Sequence, residues 1–132
     1  MSRISKQVIV MRKDLNMRKG KMVSQGAHAS LKALFDIMGE NDEENFICLN
    51  YTPKSALKDW VQGRFTKICL YVNSEKELNE IYGKAKEKGL ICSMIVDAGL
   101  TEFNGVPTKT CIAIGPNWSD SIDEVTGHLP LL

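Results

Sequence analysis

The sequence is poor in the residues that announce metal or redox chemistry. It has only two histidines, His28 and His128, far apart in the chain. Its four cysteines, Cys48, Cys69, Cys92 and Cys111, include no Cys-x-x-Cys pair, which argues against a zinc or thioredoxin-type site. Cys69 and Cys111 fall inside apolar strand-like runs and are expected to be small buried thiols. No cofactor and no metal is expected. No apolar run approaches a membrane span, and Met1-Ser2-Arg3 opens no signal-peptide core, so no membrane association and a cytoplasmic location are expected. Aromatic residues are scarce at 7%, too few and too scattered for the interleaved stacking pattern of RNA-recognition sheets. Net charge is scarce too: 17 Lys and Arg against 16 Asp and Glu give +1, so bulk charge announces no nucleic-acid binder. Repeats and low-complexity segments are lacking.

What is there is an ordinary globular composition in 132 residues, read as one domain, 1–132, long enough to bury a core without disulfides. The charge is unevenly placed. Residues 1–21 hold Arg3, Lys6, Arg12, Lys13, Arg18, Lys19 and Lys21 against Asp14 alone. The segment Glu40-Asn41-Asp42-Glu43-Glu44 carries the opposite sign. A nearly neutral protein can still turn a basic face to phosphates; from charge alone, a solvated charged terminus explains the cluster equally well.

Apolar patterning predicts strands over Gln7–Arg12, Thr66–Val72, Cys92–Val96 and Thr110–Ile114, the second of them central and the last ended by Pro116. A first helix is predicted from Lys19 to about Met38, burying Val23, Ala27, Leu31, Leu34, Phe35 and Met38. Ser74 with Glu77 forms a capping box for a helix that runs to about Lys88 and stops at Gly89. A last helix spans about Ser119 to Thr126. Residues 45–64 read as an insert: Phe46–Leu49 as a short strand or packed turn, Ser55–Val61 as a short helix ending at Gly63. Strands alternating with helices argue for an α/β layer fold.

The densest chemistry lies in Arg18-Lys19-Gly20-Lys21-Met22-Val23-Ser24-Gln25-Gly26-Ala27-His28. On a helix, Lys21, Gln25 and His28 fall within roughly 60° of one another. A helix start adds unpaired N–H groups and a positive dipole end, so the stripe suits an anion such as phosphate. Asp97 closes the third strand, where α/β sheets often present ligand-facing groups, although Asp before Gly is also a common turn former. Thr101 and Thr110 follow, and threonines are common in strands for structural reasons alone. Ser24 and His28 are spaced as a nucleophile and base, but a helix-interior serine without a strained elbow is a poor nucleophile.

These blocks, collinear and similarly spaced, resemble the type 2 peptidyl-tRNA hydrolase family. The carrying residues are Arg12-Lys13-Asp14-Leu15-Asn16-Met17, Lys19-Gly20-Lys21, Gln25, His28, Asp97-Ala98-Gly99-Leu100-Thr101, Thr108 to Pro116 and Val125-Thr126-Gly127-His128-Leu129. The resemblance runs from about Lys6 to Leu132. It implies a three-layer α/β/α fold with a four-stranded mixed β-sheet, and hydrolysis of the ester joining a peptide to the 3′-terminal ribose of tRNA. It implies peptidyl-tRNA as partner and, since the family is often dimeric, a homodimer. The implied reacting set is Lys19, Lys21, His28, Asp97, Thr101 and Thr110; Arg12, Lys13, Arg18 and Gln25 would bind substrate. Asp97 would orient and partly deprotonate a water, the threonines would fix it and the substrate carbonyl, and a lysine would meet the oxyanion or terminal phosphates. Helix geometry favours Lys21 for the pocket, while Lys19 can swing toward the strand end and is expected to be the catalytic one. Gln25 and His28 would lie near the CCA end.

Two other classes fit parts of the sequence. A non-catalytic RNA-binding module would use the same basic face, and an interaction protein would use the 45–64 insert. A protein that had lost catalysis should have lost Asp97 or the threonines, and these are present.

Overall fold

The computed structural model describes residues 3–100 and 102–132. Its centre is β1 (Ser5–Arg12), buried along almost its whole length, as only a strand with neighbours on both sides can be. Against it lie β4 (Lys67–Val72), parallel, and β6 (Thr108–Trp118), antiparallel. β5 (Cys92–Asp97) pairs antiparallel with β6, giving a mixed four-stranded sheet in the order β4-β1-β6-β5. Alternation along the strands sends one set of apolar side chains to each face. Val8, Val10, Ile112 and Ile114 meet Leu78, Ile81 and Ala85 of α3 (Glu75–Glu87) and Ile122 and Val125 of α4 (Ser119–Thr126). Ile9, Met11, Ile95, Cys111 and Ala113 meet Ala29 and Ala33 of α1 (Lys19–Phe35). Helices on both faces make three layers. α3 starts where expected, with Ser74 Oγ accepting from the Glu77 amide at 3.1 Å, and ends at Gly89, whose φ is +70°.

Several expectations need correction. α1 stops at Phe35, and its buried face is Gln25, Gly26, Ala29, Ser30, Ala33 and Leu34. Of the expected stripe only Leu34 is buried; Val23, Leu31 and Phe35 are 73%, 52% and 59% exposed. Small residues are what let a helix lie close on a sheet: a Cβ added at Gly26 would already touch Ile9 at 3.7 Å. The larger apolar residues therefore point along the sheet rather than into it. β4 is an edge strand and not a central one, so Cys69 is exposed instead of buried. Part of that edge is covered by the chain's last residues, where Tyr71 N donates to Pro130 O (3.2 Å) and Leu132 N to Cys69 O (3.0 Å). β6 continues through Pro116, because the β1–β6 register shifts there, between Lys6 and Val8, and no ladder donor is needed of a proline at such an irregularity.

The 45–64 region splits in two. β2 (Gly39–Asn41) and β3 (Phe46–Cys48) form a small separate hairpin. α2 (Ala56–Gln62) is capped by Ser55 and packs on β1 and β6 through Ala56 and Trp60, whose Nε1 donates to Thr66 O at 2.7 Å. Among the described residues no helix is long and apolar enough to cross a membrane.

Candidate active site

The site forms where the end of β5, the start of β6 and the first turns of α1 converge. On β5 the odd positions face α1: Ser93 Oγ donates to Ala29 O at 2.7 Å, Ile95 joins the apolar cluster, and Asp97 emerges at the rim. β6 needs a defect to contribute. Cys111 already faces α1, so simple alternation would turn Thr110 to the opposite side. The β5–β6 register shifts at this point: Ile95 pairs with Cys111 and Val96 with Lys109, leaving Thr110 as the extra residue. This bulge swings Thr110 to the α1 side, where its hydroxyl donates to Gln25 Oε1 at 2.5 Å.

Asp97 is the hub. Its Oδ1 accepts from Lys21 Nζ at 2.9 Å and from Gln25 Nε2 at 3.3 Å, and its Oδ2 accepts from the Gly99 amide at 2.8 Å. The Lys21 and Asp97 side chains are each 15% exposed, so the pair is sheltered but reachable. The Lys21 hydrogen bond, ahead of the Gly99 amide and the lysine's charge, holds the Asp97 carboxyl below its ordinary range. Gly99 has φ +82° and packs on Val106, which turns the chain sharply enough to aim its N–H back at Asp97. Below, the Cys111 thiol donates to Gln25 O at 3.3 Å, and burial pushes it up to about 12, so it stays an inert thiol.

Lys21, Gln25, Asp97 and Thr110 are thus brought together. Lys19 is not: it borders the other flank of α1. His28 is exposed on the following turn and is not among these contacts. Thr101 lies outside the described residues. Of the expected substrate-binding residues, Gln25 is 2% exposed and faces Asp97 and Thr110, not solvent. Arg12 is largely occupied, its guanidinium bonding Asp14 Oδ2 at 2.7 Å and Lys109 O at 3.1 Å. Arg18 is 84% exposed and pairs with Glu102 at 3.1 Å; Lys13 is exposed, 4.4 Å from the Tyr71 ring centroid. The sequence reading missed Phe103, whose ring centroid lies 5.9 Å from Lys21 Nζ, and the Gly99 amide. Only the Asp-x-Gly spacing hinted at the latter. Among the described residues no group of three or more His, Cys, Asp and Glu is placed to hold a metal ion.

Fold and site together define a three-layer α/β protein whose polar chemistry centres on one strand-end carboxylate paired with a helix lysine. The family model described as "Peptidyl-tRNA hydrolase PTH2" matches residues 5–132, and the chain belongs to that family. It is 44% identical over 127 residues to a protein of Methanocaldococcus jannaschii named peptidyl-tRNA hydrolase, covering 96% of this chain and 99% of that one. It is 41% identical over 126 residues to the protein so named in Nanoarchaeum equitans, covering 96% and 97%, and 40% identical over 126 residues to that of Haloquadratum walsbyi, covering 96% and 98%.

Proposed function

We propose that this protein hydrolyses the ester between peptide and tRNA in peptidyl-tRNA, releasing free peptide and free tRNA, and that Lys21 and Asp97 carry the reaction with Thr110 buried behind them. The observation that carries the assignment of residues is the sheltered Lys21–Asp97 pair at 2.9 Å, set beside a threonine that a bulge has turned toward it. Water adds to the ester carbonyl, the tetrahedral intermediate collapses, and the water's proton ends on the ribose oxygen that leaves. A carboxyl whose pKa is held down is a weak base, so Asp97 chiefly orients the water and takes its proton only as the new bond forms. The Lys21 ammonium supplies positive charge where the oxyanion develops. Thr101, which lies outside the described residues, is expected to share the water, and Lys13, Arg18 and Lys19, all exposed, meet tRNA phosphates. His28 is a rim contact for the 3′ end. The chain works as a single cytoplasmic domain.

The working unit is a homodimer. A groove of about 690 Å³ runs between the outer flank of α1 and the α1-side face of β1 and β4. It is lined by Gly26, which is buried, and by Val23, Ala27, Leu31, Phe65 and Cys69, which are exposed. A ridge beside a trough on one surface is self-complementary under a two-fold axis, and an apolar surface of this kind is characteristic of a covered face.

The test of function is incubation with N-acetyl-aminoacyl-tRNA, with free tRNA resolved on an acid gel. The wild type should turn over. Asp97→Asn keeps the shape, removes the charge and should lower kcat on the order of 10²-fold while changing tRNA affinity little. A mutant within about twofold of wild type would take Asp97 out of the reaction.

A further inference from the structure

We propose that Gln25 is a positioning residue for this reaction: its buried carboxamide, held by the Thr110 hydroxyl, steadies Asp97 without touching substrate. The inference rests on the hydrolase reading above. Three observations support it. Gln25 is 2% exposed, so it offers substrate almost no surface. Its two side-chain atoms are both occupied, Oε1 by the Thr110 hydroxyl at 2.5 Å and Nε2 by Asp97 Oδ1 at 3.3 Å. The reverse orientation of the amide would set its oxygen against a carboxylate, so the electrostatics allow only one assignment.

The consequence reaches the reacting atoms. Thr110 is itself fully buried, so its hydroxyl, with its proton directed at Gln25, anchors the carboxamide oxygen and thereby aims Nε2 at Asp97. Asp97 Oδ1 has two donors, Lys21 and Gln25, while Oδ2 has the Gly99 amide. That leaves Oδ2 with the more accessible lone pair for the attacking water. The Cys111 thiol also donates to the main-chain carbonyl of Gln25, so the residue is held at both its backbone and its side chain.

Kinetics on peptidyl-tRNA with Gln25→Met and Gln25→Glu tests this. Gln25→Met fills the same volume with no polar atoms; kcat should fall at least tenfold with KM changed less than about threefold. Gln25→Glu keeps an acceptor for Thr110 but loses the donor to Asp97 until the introduced carboxyl is protonated. Its activity relative to wild type should therefore rise several-fold as pH falls from about 8 to 5.5, since two adjacent carboxylates share a proton readily. The charged or titratable groups beside Asp97 and Gln25 are Lys21 on α1, Glu102 beyond β5, which pairs with Arg18 at the start of α1, and Cys111 on β6. All are present in both proteins, so the ratio isolates the new group. Thermal unfolding of each variant accompanies the kinetics. A relative activity flat in pH would mean a merely structural role, and a rise in KM at constant kcat would place Gln25 on the substrate; either overturns the inference while a turning-over wild type leaves the hydrolase reading intact. A wild type without turnover overturns both.

Discussion

The ion pair between Lys21 and Asp97 acts on the acidity of the carboxyl. The folded carboxyl titrates below the 3.8 of the free side chain because the ammonium donates to it. Its contribution to stability is therefore fully present above the unfolded value and is lost as pH falls through the lower folded one. Activity should follow the same logic. Wild-type kcat should show no acid limb from Asp97 across the ordinary carboxylate range, whereas Lys21→Ala should lower kcat by about 10²-fold and move an acid limb upward into that range. Lys19→Ala should mainly raise KM. A pH series of single-turnover rates separates these, and equal kcat losses for both lysines would contradict the geometry. Periodicity alone placed Lys21, Gln25 and His28 on one stripe, and two of those three do face Asp97. The structure sets Lys21, not Lys19, against Asp97, because the flank to which a residue before the first full turn swings depends on where the sheet lies. Gln25 was legible as a site residue but not as a buried one: its burial comes from Cys111 and Thr110, more than eighty positions away in sequence.

At the scale of elements, strands and helices were legible because each had local signals: the Ser74 cap, the Gly89 stop, the alternation in β1 and β5. Depth in the sheet was not. β4 is as rich in strand formers as β1, and only pairing decides which is the edge. The face of α1 was misjudged for a related reason, since large apolar residues mark an interface without saying whether the sheet or another surface fills it. The bulge at Thr110 was also invisible, as it is a relation between two strands. The turn after β5 is the element most sensitive to a single atom. A Cβ at Gly99 would lie 2.3 Å from Val106 O, at a φ of +82° that side chains rarely adopt. Gly99→Ala should thus cost about 1–3 kcal/mol in local strain, expressed as a displaced turn that withdraws its N–H from Asp97. We expect kcat to fall with a modest loss in urea midpoint; a variant with wild-type kcat would show that the Gly99 amide does not hold the carboxylate.

For the whole molecule, the two flanks of α1 divide the work. One flank carries Lys21 and Gln25 toward Asp97; the other carries Val23, Ala27 and Leu31 along an apolar groove with no acidic residue in its lining. The side chains gathered at the described site lie on α1, β5 and β6, away from the groove. In the proposed dimer, association would cover Val23 and Leu31. A charge set on the rim should separate these effects. Val23→Glu sits 73% exposed in the isolated chain, so it should leave a lone protomer's fold intact while placing two carboxylates in a desolvated two-fold contact. Sedimentation at micromolar concentration should give a dimer for the wild type and a monomer for Val23→Glu. The monomer's kcat should stay within about threefold of wild type, while its unfolding temperature drops and loses its dependence on protein concentration. A wild type that sediments as a monomer would remove the dimer reading of the groove. A monomeric variant with kcat abolished would mean instead that the site is completed across the interface.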